Sequence, residues 1–174
     1  MTAQRFIDQL NTQIGNEFSA SQQYVACAIH YDSLTMPRMA ALFYAQALEE
    51  RNHAMMMVQY LLDTGADVRL PGAEAPVTEF KTVVEPVALA LEQEKRVSEQ
   101  IYELTRIARE EHDFASEQFM GWFIREQVEE VAKMDGLLTV VNRANGDIEA
   151  IEEYVARETS GESTDPTAPR IAGV

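Results

Sequence analysis

Five residues of this sequence have the types and spacing to hold metal ions: Glu50 and His53, and Glu17, Glu94 and Glu130 in three other segments. A carboxylate and an imidazole three residues apart on a helix share one face, so Glu50 and His53 offer oxygen and nitrogen to a single ion. Each of the five falls on a stripe of alternating three- and four-residue steps, the pattern that turns toward a neighbouring helix. The stripes read Leu10, Ile14, Glu17, Ser21, Tyr24, Ala28, then Phe43, Gln46, Glu50, His53, Met57, then Ala90, Glu94, Val97, Ile101, and Phe123, Gln127, Glu130, Met134, Leu137. All are apolar at both ends and acidic near the middle, and none of these positions is Lys or Arg. A single core glutamate ordinarily has an ion pair or a local hydrogen bond. Four buried together are prohibitively costly unless protons or cations neutralise them, and a metal is the natural counter-charge. A donor set this rich in carboxylate favours iron or manganese. Two cations bridged by shared carboxylates suit a reaction in which two ferrous ions each give an electron to oxygen. No nucleophile or oxyanion donor stands beside the set, which argues against zinc hydrolysis.

The elements that must position these residues follow from the periodicity. Helical patterning runs from about Ala3 to Asp32, Met36 to Asp63, Pro86 to Glu111 and Phe114 to Arg143. A brief fifth helix carries Ile148, Ile151 and Val155 after the Asn145-Gly146-Asp147 turn and ends near Arg157. Short connections make the first two helices, and the third and fourth, antiparallel hairpins. Residues equidistant from a hairpin turn lie side by side. The midpoint of Glu17 and Glu50 falls at Ser33 and Leu34, that of Glu94 and Glu130 at His112, and both are the turns already placed by periodicity. Four carboxylates therefore converge near mid-height if the hairpins pack in register. The roughly 20 residues between the second and third helices could span ~60 Å, more than the ~40 Å of a 27-residue helix. They are expected to form a crossover that leaves those helices parallel, or else a local excursion with a small strand at Val68–Leu70. Residues 1–158 are thus expected to be one bundle and residues 159–174, rich in Gly, Ser and Pro, a flexible tail.

Composition agrees with an all-α domain. The chain has 174 residues, 46% hydrophobic, enough for one buried core. Its formal net charge of −15 repels phosphate backbones and anionic lipid and suits a protein that handles cations, so nucleic acid is not an expected partner. Cys27 is the only cysteine, which excludes an intrachain disulfide or a four-cysteine metal site and fits a reducing cytoplasm. No stretch approaches the ~18 continuous apolar residues of a membrane span.

The strings NEFSASQQY, ALEERNHA and EQFMGWFIREQVEE, with the placing of Glu94, resemble the non-haem ferritins of bacteria over the chain up to about Glu158. That resemblance implies a ferritin-like four-helix bundle with a di-iron ferroxidase centre. Glu17, Glu50 and His53 would hold one iron, and Glu50, Glu94 and Glu130 the second, with Gln127 nearby. It further implies an additional iron site at Glu49, Glu126 and Glu129, residues that could equally form a solvated acidic face. Tyr24 would lend an electron during oxidation or serve as a hydrogen-bonded core tyrosine. Related bacterioferritins repeat the Glu-x-x-His spacing on the fourth helix, whereas this chain has Gln127 and Glu130, and a second iron held more loosely is implied. Arg51 stands where bacterioferritins carry the methionine that ligates haem, so haem is not expected. The family assembles as a hollow homo-oligomeric shell of twenty-four subunits, with an entry route that would pass His112, Asp113 and Glu117. Trp122 and Cys27 read as packing residues, and His30 as a surface or interface residue.

The leading functional expectation is oxidation of Fe(II) by O2 or H2O2 with storage of the ferric product. A DNA-protecting mini-ferritin is a second class, opposed by the acidic charge and the long crossover. A small di-iron peroxidase that cycles metal without storing it is a third, and the single cysteine argues against an attached rubredoxin module.

Overall fold

A computed structural model describes residues 2–158 and 165–174. It is an all-α four-helix bundle, α1 (Gln4–Ser33), α2 (Pro37–Asp63), α3 (Glu85–Glu110) and α4 (Phe114–Ala144), with the short α5 (Ile148–Glu158) behind it. No strand occurs among the described residues, so Val68–Leu70 is irregular. The helix ends have local causes. Pro37 and Pro86 sit in the first turns of α2 and α3, where the missing N–H costs nothing. Asp113 caps α4 by accepting from the Ser116 N–H at 3.2 Å. Asn145, in the left-handed conformation at φ 48°, ends α4 ahead of Gly146. Glu152 of α5 accepts from the backbone N–H groups of Arg38 and Met39, both at 2.9 Å, placing a carboxylate at the positive end of α2.

The connection from α2 to α3 runs along α1 and is tied to it in steps. Asn11 bonds the Asp67 carbonyl and the Arg69 N–H, Ser19 accepts from the Glu74 N–H, Gln23 makes two bonds with Val77, and Tyr31 donates to the Val83 carbonyl. Contact order along both segments is the same, so the strap returns to the end of the bundle where α2 began, and α3 descends parallel to α2. Gly15 makes this possible: a Cβ there would lie 2.5 Å from Cγ of Pro71.

The interior divides into two apolar clusters. One holds Tyr31, Met36, Met39, Phe43, Val87, Leu137 and Val141 and receives Ile151 and Val155 from α5. The other holds Phe6, Leu10, Ile14, Met57, Leu61, Ile101, Leu104, Met120 and Phe123. Between them lies a layer of buried polar side chains, as the stripes require.

Residues 165–174 differ from the flexible tail expected for 159–174, and residues 159–164 lie outside the described residues. Trp122 Nε1 donates to Asp165 at 2.8 Å, the Ala172 N–H donates to the Met55 carbonyl at 3.1 Å, and Ala168 and Ile171 pack against the second cluster. Two apolar side chains and an indole N–H in need of an acceptor supply the docking that the polar composition conceals.

Candidate metal centre

The polar layer is built by four helices that each bring one or two side chains to the same height. α1 contributes Glu17, α2 Glu50 and His53, α3 Glu94, and α4 Gln127 and Glu130, all at 4% exposure or less. Glu17, Glu50 and His53 each offer a ligand atom within 4.8 Å of the others, and His53 Nδ1 lies 3.2 Å from Glu50 Oε2. Trp122 and Phe123 pack against the His53 imidazole in T-shaped contacts at centroid distances of 5.6 and 5.7 Å. Gln13, one turn before Glu17, donates to Glu17 Oε1 at 2.8 Å. Glu17 Oε2 and Glu50 Oε1 are sealed from solvent and have no hydrogen-bond partner.

The other two carboxylates are occupied by neutral or positive donors. Tyr24 O–H and Gln127 Nε2 donate to the two oxygens of Glu94, the latter at 3.1 Å. Gln46 Nε2 donates to Glu130 Oε2 at 2.7 Å, and the Lys133 ammonium lies 3.6 Å from Glu130 Oε1 while donating to the Gln46 carbonyl oxygen. Gln13, Gln46 and Lys133 carry no mark in the sequence that sets them apart as site residues. Lys133 lies off the inward stripe, and its only signal is a spacing of one turn from Glu130.

Burial dominates the electrostatics. It pushes Glu17 and Glu50 well above the ordinary carboxylate range, helped by the charge of Glu50 on Glu17 and of Glu94 on Glu50. Glu94 is also raised by burial, against the lowering effect of Tyr24 and Gln127. Burial pushes Glu130 up to about 7 although Lys133 opposes it. Tyr24 is held far above its usual value by burial and the neighbouring Glu94, so its hydroxyl stays protonated as a donor. The layer therefore cannot hold all its negative charge alone, and protons or cations must enter. Two shielded, unpartnered carboxylate oxygens beside an imidazole match the donor preference of a divalent transition metal.

A second group, nearer the surface, joins Glu49, His53 and Glu126, again within 4.8 Å of one another. Of the trio Glu49, Glu126 and Glu129, the first two meet, whereas Glu129 is exposed and absent from this group. Its charge still reaches Glu126, whose carboxyl is raised chiefly by burial. At the α3–α4 turn Asp113 is committed to structure, accepting from the Ala3 N–H at 3.0 Å and Ser116 Oγ at 2.7 Å, and Glu117 pairs with Arg109 at 2.7 Å. His30 is half-buried within its own chain, its ring edged against Tyr31 and Phe80. Cys27 is buried, and its thiol is pushed up to about 12, which leaves it inert.

Known proteins resemble this chain in sequence and fold. The model of the ferritin-like domain matches residues 7–144. A ferritin BfrB from Mycolicibacterium smegmatis is 52% identical over 169 residues, 97% of this chain and 93% of its own length. A bacterial non-heme ferritin from Staphylococcus aureus is 32% identical over 154 residues, 88% of this chain and 93% of its own. Among solved structures, an open pore ferritin from the archaeon Archaeoglobus fulgidus superposes with a TM-score of 0.88 at 26% identity, covering 93% of this chain and all of its own. A matched domain over most of the chain, with relatives this similar along nearly their whole length, makes the protein a member of the ferritin-like family, alongside the bacterial ferritins.

Proposed function

We propose that this protein stores and detoxifies iron: it takes up Fe(II) at the buried carboxylate layer, oxidises it, and keeps the ferric product as a hydrated oxide inside a homo-oligomeric shell of twenty-four copies in the cytoplasm. The observation that carries this reading is the pair of sealed, unpartnered oxygens on Glu17 and Glu50 beside His53, an acidic interior that must take up protons or cations and whose oxygen and nitrogen donors suit a divalent transition metal. Iron is the substrate. Glu17, Glu50 and His53 hold one Fe(II), and Glu50, Glu94 and Glu130 hold the other, with Gln127 aligning Glu94. Two Fe(II) give up one electron each. O2 takes the two electrons with two protons to become H2O2, or H2O2 takes them to become two waters.

The chain's own groups supply geometry and charge. Trp122 and Phe123 keep the His53 ring in one orientation and shield the site from water. Tyr24, hydrogen-bonded to Glu94, either lends an electron or fixes that carboxylate. Glu49 and Glu126 share His53 with the buried layer, are less buried than it, and give oxidised iron a next foothold, with the charge of Glu129 acting on Glu126.

Aerobic addition of Fe(II) to the metal-free protein tests this, with particle mass and iron per subunit as readouts. Storage predicts a very large particle that takes up far more than two irons per subunit. A small oligomer that stops near two would favour the peroxidase reading, and retardation of DNA in a gel would favour the mini-ferritin.

A further inference from the structure

The two halves of the carboxylate layer differ in what already holds their oxygens. On the Glu17 and Glu50 side an oxygen of each carboxylate is free. On the Glu130 side both oxygens are taken within a closed ring: Gln46 Nε2 donates to Oε2 at 2.7 Å, Lys133 Nζ stands 3.6 Å from Oε1, and Lys133 also donates to the Gln46 carbonyl oxygen. Gln46 is 1% exposed and cannot retreat, whereas the Lys133 side chain is 34% exposed and stands at the rim of the layer. A lysine stem of four methylenes can swing its ammonium into water with little cost in solvation.

We propose that Lys133 is a stand-in cation: its ammonium neutralises Glu130 until a second metal ion displaces it, which makes the second metal position weaker than the first and filled only after it. This rests on the metal-binding reading above. Lys133 and Gln46 are positioning residues that act through Glu130. The first ion meets an oxygen on each of Glu17 and Glu50 that no ammonium or amide holds. The second must take Glu130 from the ammonium, and until that side chain swings away it also feels a positive charge a few ångströms distant. A lysine one turn beyond a buried ligand thus sets the loading order and leaves the second ion easier to release.

The test is calorimetric titration of redox-inert Zn(II) into the intact, metal-stripped assembly, comparing the two tightest ions per subunit. Lys133→Met should leave the first unchanged and tighten the second about tenfold, about 1.4 kcal/mol. Lys133→Arg, which keeps the charge, should return the second affinity toward the parent value. In a Glu130→Gln background the Lys133→Met change should make no difference. The proposal is overturned if Lys133→Met leaves the second affinity unchanged or weaker, shifts both ions equally, or acts as strongly without Glu130. Should Lys133→Met fail to assemble, Lys133→Gln carries the same expectations. Failure of the metal-binding reading has a different signature, namely no tight first ion in the parent protein.

Discussion

Glu130 links the charge of the buried layer to stability with a sign opposite to that of a salt-bridged carboxylate. Its carboxyl titrates near 4.5 when free in the unfolded chain and near about 7 in the fold, raised by burial. Below pH 4.5 both states hold the proton and Glu130 exacts no penalty. As pH rises past 4.5 the unfolded chain gives the proton up while the fold still keeps it, so unfolding gains. Above about 7 the loss is complete. A gap of about 2.5 on the pH scale at 1.36 kcal/mol each comes to about 3 kcal/mol, for a side chain only 5% exposed. Glu130→Gln removes the titration and keeps the acceptor oxygen. Guanidinium unfolding of EDTA-treated protein, followed by circular dichroism at pH 5 and pH 8, should show the variant gaining about 2.5 kcal/mol on the parent between the two, the remainder being already lost at pH 5. Saturating Zn(II) should erase that gain, because the ion neutralises the carboxylate it binds. A variant-to-parent difference that stays flat with pH would refute burial as the dominant effect on this group.

Three further outcomes follow from the same geometry. Glu50→Ala should abolish rapid Fe(II) oxidation in stopped-flow absorbance while leaving the helical circular dichroism intact, since it removes the bridging ligand and relieves carboxylate repulsion. Gly15→Ala should cost roughly 1–3 kcal/mol in denaturant unfolding, because the new Cβ meets the Pro71 ring at 2.5 Å and the strap must lift. Asp165→Ala should free residues 165–174, read as faster hydrogen exchange at the Ala172 amide with exchange in the four long helices unchanged.

The layer was legible in the sequence because a buried helix face repeats at fixed spacing, and because a hairpin turn fixes the height of residues on both its arms. Glu17 with Glu50 and Glu94 with Glu130 could be paired on that arithmetic alone, and the helix limits fell within a residue or two of their caps. Side-chain reach was not legible. Periodicity names the face on which a Cβ stands, but Lys133 stands off the stripe and reaches Glu130 through its long stem. Glu129 and Glu126 look equivalent as letters, yet three steps of about 100° set them about 60° apart around the helix, enough to leave Glu129 exposed while Glu126 is half-buried beside Glu49. The docking of residues 165–174 was hidden for another reason: it depends on one indole N–H and two apolar side chains against a distant helix pair, which no local pattern encodes.

The central claim is that carboxylates from separate helices meet at one level in a dry interior and take cations there. Anaerobic soaking of crystals with Fe(II), followed by an anomalous difference map at the iron edge, measures it directly. The strongest peak is expected between Glu17, Glu50 and Nδ1 of His53, and a weaker one toward Glu94 and Glu130. Peaks confined to exposed carboxylates, with the interior layer empty, would contradict it.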